Sequence, residues 1–481
     1  MTATAVLLAG CGSSSPPGPT GGRPLNTSKS AAAPSAAAPG RSNTDGTSSP
    51  VADPLYPSYG NPAIDVQHYG LALTWVPGTK TLTGEATIKL RAVTAVTALR
   101  LDFSSAYQIT KTTVDGATAT GKVTDGDLTV EHPLAKDAVV TLVVGYQGQP
   151  RTVPMPSHRN DVEPLGLTVT AQGELWTMQE PYGASTWYPA NDQPSDKALY
   201  DIAVTVPDGW AGIASGTPKA QSGNTFSYTT TQPVASYLTT LAVGKYTKTQ
   251  LAGPHSLPIT VWTRTGKDDA FLASMRRSPQ ILTWLETRFG TYPFPSTGAV
   301  IVPSESAMET QQLLTIGGDV FGPSPSPDAL DSVLLHEYAH QWFGDAVSPT
   351  TWQDVWLNEG WATYVEALYG AEFGRKLSIE QWERSARQAD ADFRRRLGPP
   401  GHPKADSFAE SNVYQCPALM LRQLHKALGD EKFFALGRAW VTTHAGTAQD
   451  RASFTAFVNL QTGQNFTRLI DNWLDSPTTP A

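Results

Sequence analysis

The sequence predicts an antiparallel β domain followed by an α+β domain. Three observations lead there: apolar residues alternate with period 2 from about residue 57 to residue 250, helical spacing takes over after residue 263, and a chain of 481 residues has room for more than one core.

The alternation is visible in four segments. Tyr69, Leu71, Leu73 and Trp75 form the first, Ala86, Ile88, Leu90 and Ala92 the second, Val140, Leu142, Val144 and Tyr146 the third, and Ile202, Val204 and Val206 the fourth. Turn signals such as Pro77-Gly78 and Asp208-Gly209 separate such segments, so the block 57–252 reads as a β sandwich or saddle. The stretch 253–475 begins with a strand at 257–263. Ile281, Leu282, Trp284, Leu285 and Phe289 then share one helix face, closed by Gly290. Val300 to Val302 reads as a strand. Pro327 and Asp328 open a second helix, which carries Leu330, Val333 and Leu334 and is expected to end at Gly344. The remainder is mainly helical, without an internal repeat.

Composition narrows the classes. The chain is 40% hydrophobic, with 13 Trp, 16 Tyr and 15 Phe, which is ample for packed cores. A net charge of -8 and the lack of a dense Lys/Arg run exclude a nucleic-acid-binding balance. The two cysteines, Cys11 and Cys416, provide no disulfide framework, and Cys416 reads as a small buried residue. No apolar run reaches the roughly 20 residues of a transmembrane helix.

Residues 1–11 end in Leu8-Ala9-Gly10-Cys11, which resembles a bacterial lipobox. This predicts an extracytoplasmic protein anchored to the cell membrane by a lipid on Cys11, with no other membrane contact. No Lys or Arg precedes Cys11, so a signal remnant with its true start upstream is expected. Residues 12–56 are rich in Ser, Pro, Ala and Gly and read as a disordered linker.

The chemistry lies in His336-Glu337-Tyr338-Ala339-His340. Residues i and i+4 share a helix face, so both imidazoles reach one ion. A catalytic zinc takes three protein ligands and keeps one position for water, and Glu337 is placed to take a proton from that water. Glu359, 18 residues beyond His340, is a candidate third ligand. Spacing alone leaves other downstream carboxylates open. The motif by itself points to a metal-dependent hydrolase.

The stretch His336 to Tyr364, HEYAHQWFGDAVSPTTWQDVWLNEGWATY, resembles the gluzincin aminopeptidases, the family of alanyl aminopeptidase and leukotriene hydrolase. In that family H-E-x-x-H is followed after 18 residues by the Glu of N-E-G, matched by Asn358-Glu359-Gly360. Trp187-Tyr188-Pro189 through Asp196-Lys197-Ala198, Val66 to Leu90, and Phe289-Gly290 with Tyr292-Pro293 also resemble family segments, so the likeness covers about 57–475. It implies a β-saddle domain before a thermolysin-like, mainly helical catalytic domain, one Zn2+ held by His336, His340 and Glu359, and removal of N-terminal residues from peptides with a free N-terminus. It further implies that Glu309 and Glu180 bind the substrate amine, that Tyr414 stabilises the oxyanion and that Glu366 steadies a ligating His. Three departures stand out. The family's G-A-M-E-N loop reads Ser306-Ala307-Met308-Glu309-Thr310, the Lys-Gly after the tyrosine reads Cys416-Pro417, and no large C-terminal helical domain follows, which predicts a more open cleft. They leave two alternatives: a zinc peptidase without strict N-terminal specificity, and a non-catalytic surface binding protein that keeps the fold.

Overall fold

The computed structural model describes residues 44–159, 163–319, 326–373 and 377–481. Cys11 with its leader, and the linker up to residue 43, lie outside the described residues.

The N-terminal domain is built on a long hairpin, Ile64–Val76 against Thr81–Ala92, with Leu71 opposite Ala86. Period 2 sorts its faces: Leu71, Leu73 and Trp75 are buried while Ala72 and Thr74 between them are exposed. Val139–Gly148 and then Tyr107–Val114 extend the sheet antiparallel on one side. On the other side Lys197–Thr205 joins in parallel, with Ile202 beside Leu71. The sheet is therefore mixed at one step where the alternation suggested antiparallel pairing throughout. Alternation specifies which face is buried and leaves the direction of the partner open. A second sheet, in the order Ala211–Ala214, Leu241–Gly244, Leu175–Met178, Gly166–Val169, ends one of its strands immediately before Gln179-Glu180.

Residues 44–56 depart from the linker reading, because they lie against the folded body. Ser48 Oγ donates to Lys197 O (3.1 Å), Asp53 Oδ2 accepts from the Trp352 N–H (2.6 Å), and the buried Tyr56 donates its hydroxyl to Ala405 O (3.0 Å). These anchors tie the segment to both domains. Its small-residue composition conceals them, since two polar side chains and one aromatic ring do not alter a compositional average.

The second domain opens with a five-stranded sheet in the order Tyr246–Ala252, Pro258–Arg264, Thr297–Val302, Leu314–Gly317, Ala307–Met308. Its first strand, Tyr246–Ala252, comes from the end of the stretch 57–252 that reads in the sequence as the β domain. Among the described residues the helices are α1 (Asp269–Met275), α2 (Ser278–Phe289), α3 (Pro327–His340), α4 (Trp356–Glu372), α5 (Ile379–Leu397), α6 (Ser411–Leu428), α7 (Asp430–His444), α8 (Arg451–Thr462) and α9 (Thr467–Asp475). Ser326 caps α3 by accepting from the Ala329 N–H, with Pro327 in the first turn. The helix closes at His340, earlier than Gly344, because the Trp342 N–H bonds back three residues to Ala339 O and tightens the turn. Gly344, at φ 142°, then redirects the chain.

Candidate active site

α3 presents His336 and His340 from one face, their ring centroids 4.8 Å apart. α4 runs back beside it and inserts Glu359. Glu359 Oε2 lies 3.2 Å from His336 Nε2 and 3.4 Å from His340 Nε2. A tetrahedral site with bonds of about 2.0–2.1 Å has ligand–ligand edges of about 3.3–3.4 Å, so these atoms stand at the spacing zinc takes. His340 Nδ1 is 3.2 Å from Phe343 O. That carbonyl holds the Nδ1 proton and leaves the Nε2 lone pair facing Glu359. Behind His336, Glu366 Oε2 stands 3.7 Å from Nδ1, and the other Glu366 oxygen accepts from the Ser332 hydroxyl. Two imidazoles and a carboxylate of this geometry fit a divalent cation with nitrogen and oxygen preference.

The close approach of α4 to α6 depends on Gly360. A Cβ there would come within 2.7 Å of Pro417 Cβ. The glycine and the proline interlock and fix the depth at which Glu359 enters. Cys416 is fully buried, and burial pushes its thiol pKa up, which suits packing and not nucleophilic chemistry.

Glu337 is buried beside this set. Ligand atoms of Glu309, Glu337 and His340 lie within 4.8 Å of one another. Burial pushes Glu337 up to about 7, with the Glu309 and Glu359 charges adding to it against the pull of the two histidines. That places it where a base near neutral pH is effective. Glu309 follows the edge strand Ala307–Met308 and is itself buried. Glu180 arrives from the N-terminal domain, after a strand and across a cis Glu180–Pro181 bond. Burial and then the charge of Glu309 raise Glu180 well above the usual carboxylate range. Glu180 Oε1 and Glu309 Oε1 are both buried oxygens with no hydrogen-bond partner. Charged carboxylates on Glu309 and Glu337, whose ligand atoms lie within 4.8 Å of each other, would repel by about 3.5 kcal/mol at an effective dielectric of 20. The cleft therefore concentrates negative charge that a metal ion and a cationic substrate group would neutralise.

Tyr414, half-buried on α6, places its ring 6.1 Å from that of His336 with 25° between the planes. Its hydroxyl accepts from Arg159 Nη1 (3.3 Å), which also donates to Ala409 O (3.0 Å). A guanidinium only donates, so the phenol's own proton is left to point at an acceptor in the cleft. His336, His340, Glu359, Glu337, Glu309, Glu180 and Tyr414 thus converge on one site between the domains. Sequence reasoning gave no role to three others. Arg159 lies far from any motif. Lys197, fully buried, donates Nζ to Asp345 O (2.6 Å) and Ser348 Oγ (2.9 Å), joining the domains below the site. Gln341, directly after His340, holds the loop that carries Glu309. Lys197 stands in a family-like segment, but nothing local shows that it would be buried between the domains, and Gln341 carries no charge to draw notice.

Two family models match the chain consecutively: the peptidase M1 N-terminal domain over residues 65–238 and the peptidase family M1 domain over 273–473. The chain belongs to peptidase family M1. This M1 peptidase is 29% identical to aminopeptidase N of Streptomyces lividans over 299 residues, covering 58% of this chain and 35% of that protein. It is 28% identical to aminopeptidase N of Acetobacter pasteurianus over 318 residues, 62% of this chain and 88% of that one. It therefore spans about a third of the first relative and most of the second. A solved M1 zinc metallopeptidase from Deinococcus radiodurans superposes with a TM-score of 0.80 at 26% identity, covering 90% of this chain and 99% of the other.

Proposed function

We propose that this M1 peptidase is a zinc aminopeptidase that removes residues from the N-termini of peptides with a free α-amine. The observation that carries the reading is the pair of buried, unpartnered carboxylate oxygens on Glu180 and Glu309, set beside the His336, His340 and Glu359 donor set. An ammonium supplies the N–H donors and positive charge those oxygens lack. A D. radiodurans relative solved with a Tyr-Ser-Ala substrate supports a peptide ligand.

His336, His340 and Glu359 would hold one zinc, which when bound supplies Lewis acidity and brings the pKa of a water toward about 7. The protein's own groups do the rest. Glu337 accepts the proton of the attacking water and delivers it to the leaving amine. Tyr414, with Arg159 holding its oxygen from behind, donates to the oxyanion that develops at the scissile carbonyl. Glu309 and Glu180 fix the ammonium one residue from that carbonyl and so set the register of cleavage. In the altered loop Thr310 turns its hydroxyl to Leu313 O and Thr315 Oγ1, which supports a fixed position for the adjacent Glu309.

The test compares a free peptide with its N-acetylated form. Loss of cleavage on acetylation is expected. Equal cleavage of both would replace this reading with a peptidase lacking N-terminal specificity.

A further inference from the structure

Gln341 is fully buried at the end of α3, one residue beyond a metal ligand. Its Nε2 donates to Glu309 O at 2.8 Å. Its Oε1 accepts from the Gln312 N–H at 2.9 Å and from the Tyr292 hydroxyl at 2.8 Å. A main-chain carbonyl only accepts and a main-chain N–H only donates, so these partners fix which end of the amide is which. One side chain thus grips both ends of the turn 309–312. Gln312 holds a left-handed φ of 69° in that turn, a conformation that needs such external bonds. The far side of the loop is fixed separately, by the Gln311 N–H to Leu238 O at 3.0 Å.

We propose that Gln341 is a positioning residue for N-terminal recognition, coupling the main chain of Glu309 to the helix that carries the metal ligands. The inference rests on the reading of Glu309 as an amine-binding group. In an enzyme that measures one residue from the amine to the scissile bond, the distance between the amine carboxylate and the metal is the ruler. Gln341 gives that ruler a direct side-chain link, because it follows His340 and His340 is itself locked through Nδ1 to Phe343 O. Removing the amide leaves the α3 ligands in place and frees the loop. The effect should therefore fall on amine recognition before it reaches the chemical step.

The experiment uses the zinc-loaded full chain with Gln341→Met, a near match in volume. An aminoacyl anilide reports kcat and KM. Inhibition constants are measured for a short peptide and for its desamino counterpart. Gln341→Met should raise KM and the free-amine inhibition constant about tenfold, leave the desamino constant within about twofold, and keep zinc stoichiometric. Added to Glu309→Gln, it should cost little more than Glu309→Gln alone. An equal loss for both ligands, or a fully multiplicative double variant, overturns the proposal. Glu309→Gln with an intact preference for the amine overturns the reading of Glu309 itself. If Glu309→Gln abolishes that preference and Gln341→Met does not, only the clamp fails. Should Gln341→Met not fold, Tyr292→Phe removes one bond to Oε1 and should give the same selective loss at about threefold; an unchanged preference there is equally fatal.

Discussion

Glu309→Gln separates what the cleft does from what it costs. The carboxylate is buried, one of its oxygens has no partner, and it stands within 4.8 Å of the Glu337 ligand atom. A bare Coulomb contact with an ammonium at 3 Å would be worth about 5.5 kcal/mol at an effective dielectric of 20. The ammonium surrenders hydration to enter, and Glu180 remains as a second partner, so about 3 kcal/mol is the expected loss, or about 150-fold in kcat/KM. The same substitution removes a like-charge repulsion from Glu337 of about 3.5 kcal/mol at that dielectric. The variant should therefore bind free peptides more weakly and melt at higher temperature than the parent, a trade expected where function concentrates like charges. The assay is kcat/KM for a free and an N-acetylated peptide, with thermal melts of both proteins. If both peptides lose rate equally, or the variant melts lower, Glu309 is holding structure and the charge argument is wrong.

Tyr414→Phe removes the hydroxyl proposed to donate to the oxyanion and should lower kcat about 100-fold with little change in KM; an unchanged kcat would remove Tyr414 from the mechanism. Gly360→Ala drives a Cβ to within 2.7 Å of Pro417, so destabilisation of about 1–3 kcal/mol and weaker metal retention are expected in melts and dialysis against chelator. Asp354 is raised by burial to about 6, while its Oδ1 accepts from Trp356 Nε1 at 2.9 Å. Its folded pKa exceeds the unfolded value, so the folded state holds the proton more tightly and stability falls as pH rises from about 4 to 6. Asp354→Asn keeps the acceptor and should erase that slope, gaining up to about 3 kcal/mol at pH 7; identical pH–melting curves would contradict it.

Much of this site was legible because its logic is local. The i, i+4 histidines, the intervening Glu337 and the Pro327 start of α3 are all read along one helix, and Leu71, Leu73 and Trp75 sort to the buried face as their alternation demands. Glu359 needed the family resemblance, since spacing did not choose it. What stayed hidden depends on partners distant in sequence. The parallel pairing of Leu71 with Ile202 has no local signature. Asp53 and Tyr56 look like loop residues until Trp352 and Ala405 are brought to them. Gln341 is an ordinary polar residue until the Glu309 loop folds over it.

The central claim is a zinc site at His336, His340 and Glu359 with Glu337 as the base. It is tested most directly by measuring zinc content and aminoacyl-anilide turnover together, on the parent and on Glu337→Gln. The account predicts one zinc per chain in both proteins, turnover in the parent that chelation abolishes and zinc restores, and a loss of about 1,000-fold or more in Glu337→Gln. Full turnover in Glu337→Gln, or an active parent free of metal, would contradict it.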